Sequence, residues 1–164
     1  VNDFLAKVNL KQTRLLIDKI SPSLVNKNQK FHLGVSTPKD FLLLLKGLIL
    51  CKFLNQNSSS TIIKMMTLQQ INHKIPRLLP SIKNFFKPSV EVVEIASKTG
   101  ELSSAEINND VAVITKKNGK KIIVVIFTKG IKDKINDLKT ACIDHQSAKL
   151  IAKIALSVFK KIKN

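Results

Sequence analysis

Three consecutive residues, Lys98, Thr99 and Gly100, are the part of this sequence that most suggests chemistry. A Lys-Thr-Gly triplet is one third of a known catalytic signature, whose other two elements must also be found. The stretch Ala96–Gly130 around it reads as a strand, an irregular crossing and a tight hairpin, with the triplet leaving the first strand. Whether this chain can be an enzyme therefore depends on where the other two elements are.

The histidines and cysteines do not indicate a metal site or a disulfide framework. His32, His73 and His145 are isolated, and no two of them have a spacing that would place both ligands on one helix face. Cys51 and Cys142 stand about ninety residues apart without a second pair. We interpret both as buried free thiols, and the sequence predicts no metal and no cofactor.

The positive charge of the chain suggests a nucleic-acid or anion-binding domain as an alternative function. The net charge is +17, and clustered basic residues neutralise phosphates and release counterions. However, only Arg14 and Arg77 are arginine, the residue that binds phosphates and bases in a bidentate way. Because the lysines are scattered over every polar face, we predict a basic surface without specific nucleic-acid binding.

Size and composition predict one compact domain. The chain has 164 residues and is 44% apolar, which is enough for a single core but not for two full domains. No apolar run approaches the roughly 20 residues of a membrane span. No signal peptide is recognisable in this chain.

Helices are predicted for the first half of the chain. Val1–Val8 is an amphipathic helix, and Ser21–Val35 is a surface loop because it lacks periodicity. The next helix begins around Pro38 with Ser36 or Thr37 as its cap, since Pro38 suits a first turn and Asp40 suits the positive end of the helix dipole.

This helix should be central, because Phe41–Leu54 is apolar nearly all round. A further short helix is predicted within Ser60–Ile71. Its buried side would consist of two isoleucines and two methionines, namely Ile62, Ile63, Met65 and Met66.

Strands are predicted after Pro88, where the period of the apolar residues changes. Val90–Ser97, Asp110–Thr115 and Lys121–Phe127 are the three segments, and Asn118-Gly119 joins the last two as a tight hairpin. A closing amphipathic helix follows, with an apolar stripe formed by Ile151, Ile154, Ala155, Val158 and Ile162. This order predicts an α+β fold in which the last helix lies across the sheet.

The same segments resemble class A β-lactamases and the related penicillin-recognising serine enzymes. The resemblance rests on "ASKTG", on "NNDVAVITKKNGKKIIVVIF", on the Thr-Arg-Leu turn of "NDFLAKVNLKQTRLLID" and on the Thr-Pro helix "STPKDFLLLLKGLIL", which occur in the family's order. It implies a partial β-lactamase/transpeptidase-like fold, with a helical layer followed by three antiparallel strands and a C-terminal helix. Residues 1–87 would form the helical layer, and residues 88–164 the strands with the closing helix, together one domain.

The resemblance assigns substrate-binding roles to four residues. Lys98 and Thr99 would hold the substrate carboxylate, and Gly100 would let the substrate lie against the strand. The backbone N–H of Glu101 would be an oxyanion donor. The substrate would be a β-lactam or a peptide of the peptidoglycan type.

The other two catalytic elements are not found at the expected places. No Ser-x-Asn occurs in the chain. The tetrad Ser36-Thr37-Pro38-Lys39 matches Ser-x-x-Lys, but it occupies the position of the Thr-Pro helix, and Pro38 serves a helix start. We therefore predict no catalytic residue in this chain, which alone should be inactive.

A third departure concerns hydrolysis of an acyl-enzyme. The resemblance places a catalytic Glu in the loop before the Thr-Pro helix, but Ser21 stands there and no carboxylate occurs between Asp18 and Asp40. Deacylation should therefore be slow even if the missing elements are supplied.

Two accounts fit these departures. The chain is the C-terminal portion of a β-lactamase-like serine hydrolase that associates with its own N-terminal half, or it is a naturally short homologue without catalysis. The first is favoured, because the strand "IIVVIF" would otherwise present an open apolar edge. The resemblance implies a periplasmic or extracellular location.

Overall fold

The computed structural model describes residues 1–16, 34–80, 91–102, 106–131 and 145–162. Its helices are α1 (Asn2–Lys7), α2 (Pro38–Ile49), α3 (Gln56–Thr67) and α4 (Gln146–Lys161), with a 3₁₀ helix at Ile75–Leu78. Its strands are β1 (Arg14–Leu15), β2 (Gly34–Val35), β3 (Val92–Leu102), β4 (Ile107–Lys116) and β5 (Lys121–Lys129). This order confirms the predicted α+β fold with three antiparallel strands and a closing helix. No helix in these ranges is long and apolar enough to cross a membrane.

The main sheet is antiparallel, in the order β3-β4-β5. The predicted hairpin between β4 and β5 is present, and Gly119 adopts a φ of +80°, which a glycine takes without strain. In the pairing of β3 with β4, Thr99 lies opposite Asp110, and Glu101 lies opposite Asn108. Because strands alternate their side chains, these pairs fix which residues share a face of the sheet.

One face of the sheet packs against α4 and the 3₁₀ helix. Ile95 of β3 belongs to this core, and so do alternate residues of β4 and β5. The two helices and the residue that follows the 3₁₀ helix contribute buried side chains to it, namely Ile75, Leu79, Ile151, Ala155 and Phe159.

The other face packs against α2 and α3. Leu45 of α2 meets Ala96 of β3 and Val111 of β4 in this second core. The ring of Phe41 packs edge-on against Phe127 of β5, with 5.4 Å between the ring centroids. The strand "IIVVIF" is thus packed on both faces, as predicted, with the residues on the α2 side only partly buried.

The short strands β1 and β2 pair with each other and bring Leu15 next to Gly34. A Cβ atom on Gly34 would approach the backbone oxygen of Arg14 to 2.7 Å, so the pair leaves no room for a side chain there. The loop predicted at Ser21–Val35 lies largely outside the described residues.

The predicted central helix is shorter and more exposed than expected. α2 ends at Ile49, and Leu42, Leu43 and Leu50 are exposed. Cys51 follows in a left-handed conformation and is an exposed free thiol, so the interpretation as a buried thiol was wrong for this residue. Cys142 lies outside the described residues.

Two other apolar stripes differ from the prediction. α3 begins at Gln56, because the Asn55 side chain caps it by accepting a hydrogen bond from the Ser58 N–H, and Met65 is 66% exposed. On α4 the buried stripe runs through Ala148, Ile151, Ala152, Ala155 and Phe159, whereas Ile154 and Val158 are exposed. The helix is rotated about its axis relative to the predicted stripe.

Candidate functional site

The triplet Lys98-Thr99-Gly100 lies inside β3, which continues to Leu102. The sequence suggested that the triplet leaves the strand, but the strand continues through the triplet. β3 pairs with β4 on one side, and no strand in the described ranges pairs with its outer edge. Because alternate backbone groups of an edge strand face outward, this edge offers hydrogen-bonding groups to an extended ligand.

The residues of the triplet are divided between the two faces of the sheet. Lys98 and Gly100 share the face of Ala96, toward α2 and α3, and Thr99 and Glu101 share the face of Ile95. Lys98 is exposed, and its Nζ donates a hydrogen bond of 2.6 Å to the Thr99 carbonyl oxygen. It forms no salt bridge with a carboxylate of the described residues.

Gly100 has space for a side chain within the fold. A Cβ atom built on it would meet only Asn109 Cβ, at 3.9 Å, which is an ordinary van der Waals contact. Its φ is not in the left-handed region. Packing inside the described chain therefore does not explain why this position is a glycine.

A buried ion pair, which the sequence analysis did not predict, lies beside the triplet. Lys74 is fully buried, and its Nζ is 2.7 Å from Glu101 Oε1 and donates a hydrogen bond of 3.2 Å to the Asn109 carbonyl oxygen. His73 Nε2 is 4.0 Å from the same carboxylate oxygen. The pKa of His73 is lowered, chiefly by burial and then by the charge of Lys74.

Asp110 is fully buried opposite Thr99. Its Oδ2 accepts a hydrogen bond of 2.9 Å from the Ile75 N–H, which ties the 3₁₀ helix to β4, while its Oδ1 has no partner among the described residues. Burial raises the pKa of Asp110 to about 7, although the Ile75 N–H and the charge of Lys74 act against the shift. The carboxyl group therefore titrates close to neutral pH.

The Ser36 tetrad is part of a helix start. Ser36 Oγ lies 2.7 Å from Thr13 Oγ1, which donates to Asp40 Oδ2 at 2.9 Å. Thr37 caps α2 by accepting a hydrogen bond from the Asp40 N–H. Ser36 thus precedes the helix, so it is not placed one helical turn from Lys39 on a common face.

A second Ser-x-x-Lys, Ser157-Val158-Phe159-Lys160, was overlooked in the sequence. It lies in α4 with both end residues exposed. The centre of the Phe159 ring of α4 lies 5.1 Å from Lys116 Nζ. Lys116 is at the end of β4 that pairs with Val92 of β3. Because Lys98 is six residues farther along β3, roughly 20 Å at 3.3 Å per residue, this serine is remote from the triplet.

A serine and a histidine are in contact at the start of α4. Ser147 Oγ lies 2.5 Å from His145 Nδ1 and accepts a hydrogen bond of 2.8 Å from Asn108 Nδ2. The Ser147 N–H also donates to His145 Nδ1, so the histidine caps the helix. Because Ser147 is fully buried, a substrate does not reach it in this structure.

Potential metal ligands are not clustered among the described residues. Within the ranges that are described, no group of three or more His, Cys, Asp and Glu side chains could hold a metal ion. The described residues around the triplet offer ammonium, hydroxyl, carboxyl and backbone groups.

Comparisons with known proteins agree on one family. A family model described as the β-lactamase enzyme family matches residues 1–162. A β-lactamase structure from Sphaerobacter thermophilus is similar, with 24% identity, 98% of this chain and 53% of that chain covered, and a TM-score of 0.65. A β-lactamase structure from Chitinophaga pinensis gives 19% identity, 98% and 54% coverage, and a TM-score of 0.70.

A third similar structure is a mutant of PBP-A in an acyl-enzyme complex with penicillin G. It has 19% identity, 98% of this chain and 51% of that chain covered, and a TM-score of 0.67. The chain thus spans about half the length of the solved structures that it matches. No curated protein matches it.

Proposed function

Because the chain belongs to the β-lactamase enzyme family, we propose that its β3 edge binds the substrate of a serine hydrolase or acyltransferase. The substrate class is a β-lactam or a peptide of the peptidoglycan type. Lys98 and Thr99 hold the substrate carboxylate, and the backbone N–H of Glu101 stabilises the oxyanion.

The observation that carries the proposal is the space at Gly100. Nothing in the described fold requires a glycine there, since a Cβ would have only an ordinary contact with Asn109. The position lies on a strand whose outer edge pairs with no described strand. A ligand that lies against the backbone gives a physical reason for the missing side chain.

Catalysis requires groups that we do not assign to these 164 residues. A serine hydroxyl becomes a nucleophile only when a base takes its proton. Ser36 and Ser157 are not placed for this task beside the triplet, and the buried Ser147 is unreachable. We propose that a segment outside this sequence supplies the nucleophile and the Ser-x-Asn element and associates with this chain, in a periplasmic or extracellular setting.

Acylation by a labelled penicillin, read by intact mass spectrometry, tests the proposal. We expect no covalent adduct on the 164-residue chain, and a stoichiometric adduct when a segment with Ser-x-x-Lys and Ser-x-Asn is supplied. Lys98→Ala should then slow acylation at least tenfold, because the carboxylate loses its cation. Equal acylation rates for Lys98→Ala and the unchanged chain would contradict the proposal, and an adduct on Ser36 would show that the chain is itself reactive.

Gly100→Ala separates a role in binding from a role in folding. We expect its free energy of unfolding to stay within about 1 kcal/mol of the original, because the fold has room for a methyl group. Acylation in the completed protein should fall by tenfold or more, since the methyl group would meet the substrate. Urea unfolding and acylation kinetics measure the two effects, and a loss of stability without a loss of acylation would contradict this assignment.

A further inference from the structure

The ion pair between Lys74 and Glu101 changes the charge that the Lys-Thr-Gly strand presents. Lys74 is the buried cation beside the triplet, and its Nζ is 2.7 Å from Glu101 Oε1. The Glu101 side chain stays 33% exposed, so its carboxylate reaches solvent as well as Lys74. The positive charge of Lys74 is therefore already neutralised by the chain.

Glu101 lies close to the position of a ligand carboxylate. It shares a face with Thr99, and alternate residues of a strand are about 7 Å apart. A ligand carboxylate on Lys98 and Thr99 would thus have the Glu101 carboxylate as a neighbour. Asp110, opposite Thr99, adds a further carboxyl group on the same face.

We propose that Glu101 sets the ligand specificity of the Lys-Thr-Gly strand. By neutralising Lys74, it removes one of the two cations that would attract a ligand carboxylate, so the preference for carboxylates over carboxamides is reduced to what Lys98 alone provides. The inference rests on the proposed function of the strand, because it concerns the same site.

Coulomb's law indicates how large the effect is. Two like charges about 7 Å apart, at a partly exposed site, change a binding constant by roughly tenfold. Because the charges of Lys74 and Glu101 offset each other, Lys98 remains to favour a ligand carboxylate by about that factor. Since Lys98 is exposed and forms no salt bridge with a described carboxylate, it is the cation that attracts the ligand.

The test compares one peptide in two charge states. N-acetyl-D-alanyl-D-alanine and its C-terminal amide are titrated into the ¹⁵N-labelled protein, and the backbone amides of residues 98–102 report binding. For the unchanged protein we expect the acid to bind about tenfold more tightly than the amide, because Lys98 is the cation left to act on the carboxylate. Glu101→Gln should bind the acid about tenfold more tightly and leave the amide unchanged.

Lys74→Met supplies the opposite change and does not leave a buried cation unpaired. It frees the Glu101 charge, so the acid should bind about tenfold more weakly while the amide is unaffected. This variant keeps the test decisive if Glu101→Gln fails to fold, since Glu101 is partly exposed and tolerates the loss of its partner.

Two control variants separate local charge from other effects. Glu101→Asp keeps the charge and should behave like the unchanged protein. Glu94→Gln removes a carboxylate from an exposed position on the same strand, seven residues or roughly 23 Å away, and should change neither constant.

The outcomes distinguish this inference from the proposed function. One outcome is that Lys98→Ala abolishes binding of the acid while Glu101→Gln leaves the ratio of the dissociation constants of acid and amide unchanged. In that case the strand binds the ligand, and the role proposed for Glu101 is wrong. A parallel change for acid and amide would also overturn that role, because it would indicate a structural effect. If Lys98→Ala has no effect, or if neither peptide shifts the β3 amides, both proposals fail.

Discussion

At the scale of single residues, Asp110 gives the protein a stability that depends on pH. Its pKa in the fold is about 7, compared with an ordinary value of 3.8. The folded state thus binds more protons than the unfolded state between these values, so stability is present below about pH 4 and is lost as the pH rises through 7. The pKa difference corresponds to at most about 4 kcal/mol.

We predict that Asp110→Asn removes this dependence. The free energy of unfolding of the original protein should decrease from pH 4 to pH 8 relative to that of the variant, as measured by urea unfolding. His73 works in the opposite direction, because its pKa is lowered and its charging below about pH 6.5 costs stability. Since both proteins keep His73, their difference isolates Asp110, and parallel curves would contradict the prediction.

The sequence predicted the residues that form a local motif and missed those brought together by the fold. Lys98, Thr99 and Gly100 are consecutive, so a pattern identifies them. Lys74 and Glu101 are separated by 26 intervening residues, and nothing in the local pattern around Lys74 indicates burial. A lysine is ordinarily expected on the surface, and only its contact with Glu101 and Asn109 explains its position here.

At the scale of elements, the pairing of β1 with β2 depends on the absence of a side chain at Gly34. We predict that Gly34→Ala lowers the free energy of unfolding by about 1–3 kcal/mol, because its Cβ would lie 2.7 Å from the rigid backbone oxygen of Arg14. Gly100→Ala is the matched control, since its Cβ has only a 3.9 Å contact. Equal stability of the two variants would show that the β1–β2 pair moves apart without cost.

Elements with strong local signals were predicted correctly. The Asn118-Gly119 turn and the apolar strands on either side fix the β4–β5 hairpin without help from the rest of the chain. The start of α3 was missed, because Asn55 caps a segment of polar residues that has no apolar period. The stripe on α4 was misplaced, because Ile154 and Val158 are as apolar as the residues that the sheet actually covers.

At the scale of the whole molecule, the net charge of +17 predicts weak and non-specific binding to nucleic acid. Among the described residues, the exposed lysines lie on several elements. Lys117, Lys120 and Lys121 are exposed at the hairpin, but Lys116 is buried with its Nζ 5.1 Å from the centre of the Phe159 ring. Further exposed lysines lie on α4, namely Lys149, Lys153 and Lys160.

Titration of labelled single- and double-stranded DNA at two salt concentrations checks this prediction. Binding should nearly disappear at about physiological ionic strength, where the screening length is roughly 8 Å. Submicromolar affinity that resists salt or depends on sequence would favour a nucleic-acid-binding domain over a relative of serine hydrolases.

The position of α4 at the end of the described chain matters for synthesis on the ribosome. β5 ends at Lys129, whereas the helix that covers Ile122, Val124 and Ile126 extends to Lys161. At about 5–20 residues per second, translating these roughly 30 residues takes about two to six seconds. The hairpin forms in microseconds, so the part of its apolar face that α4 covers stays exposed for almost all of that time. Each newly made molecule thus offers a transient binding surface to chaperones, and slower translation would prolong its exposure to aggregation.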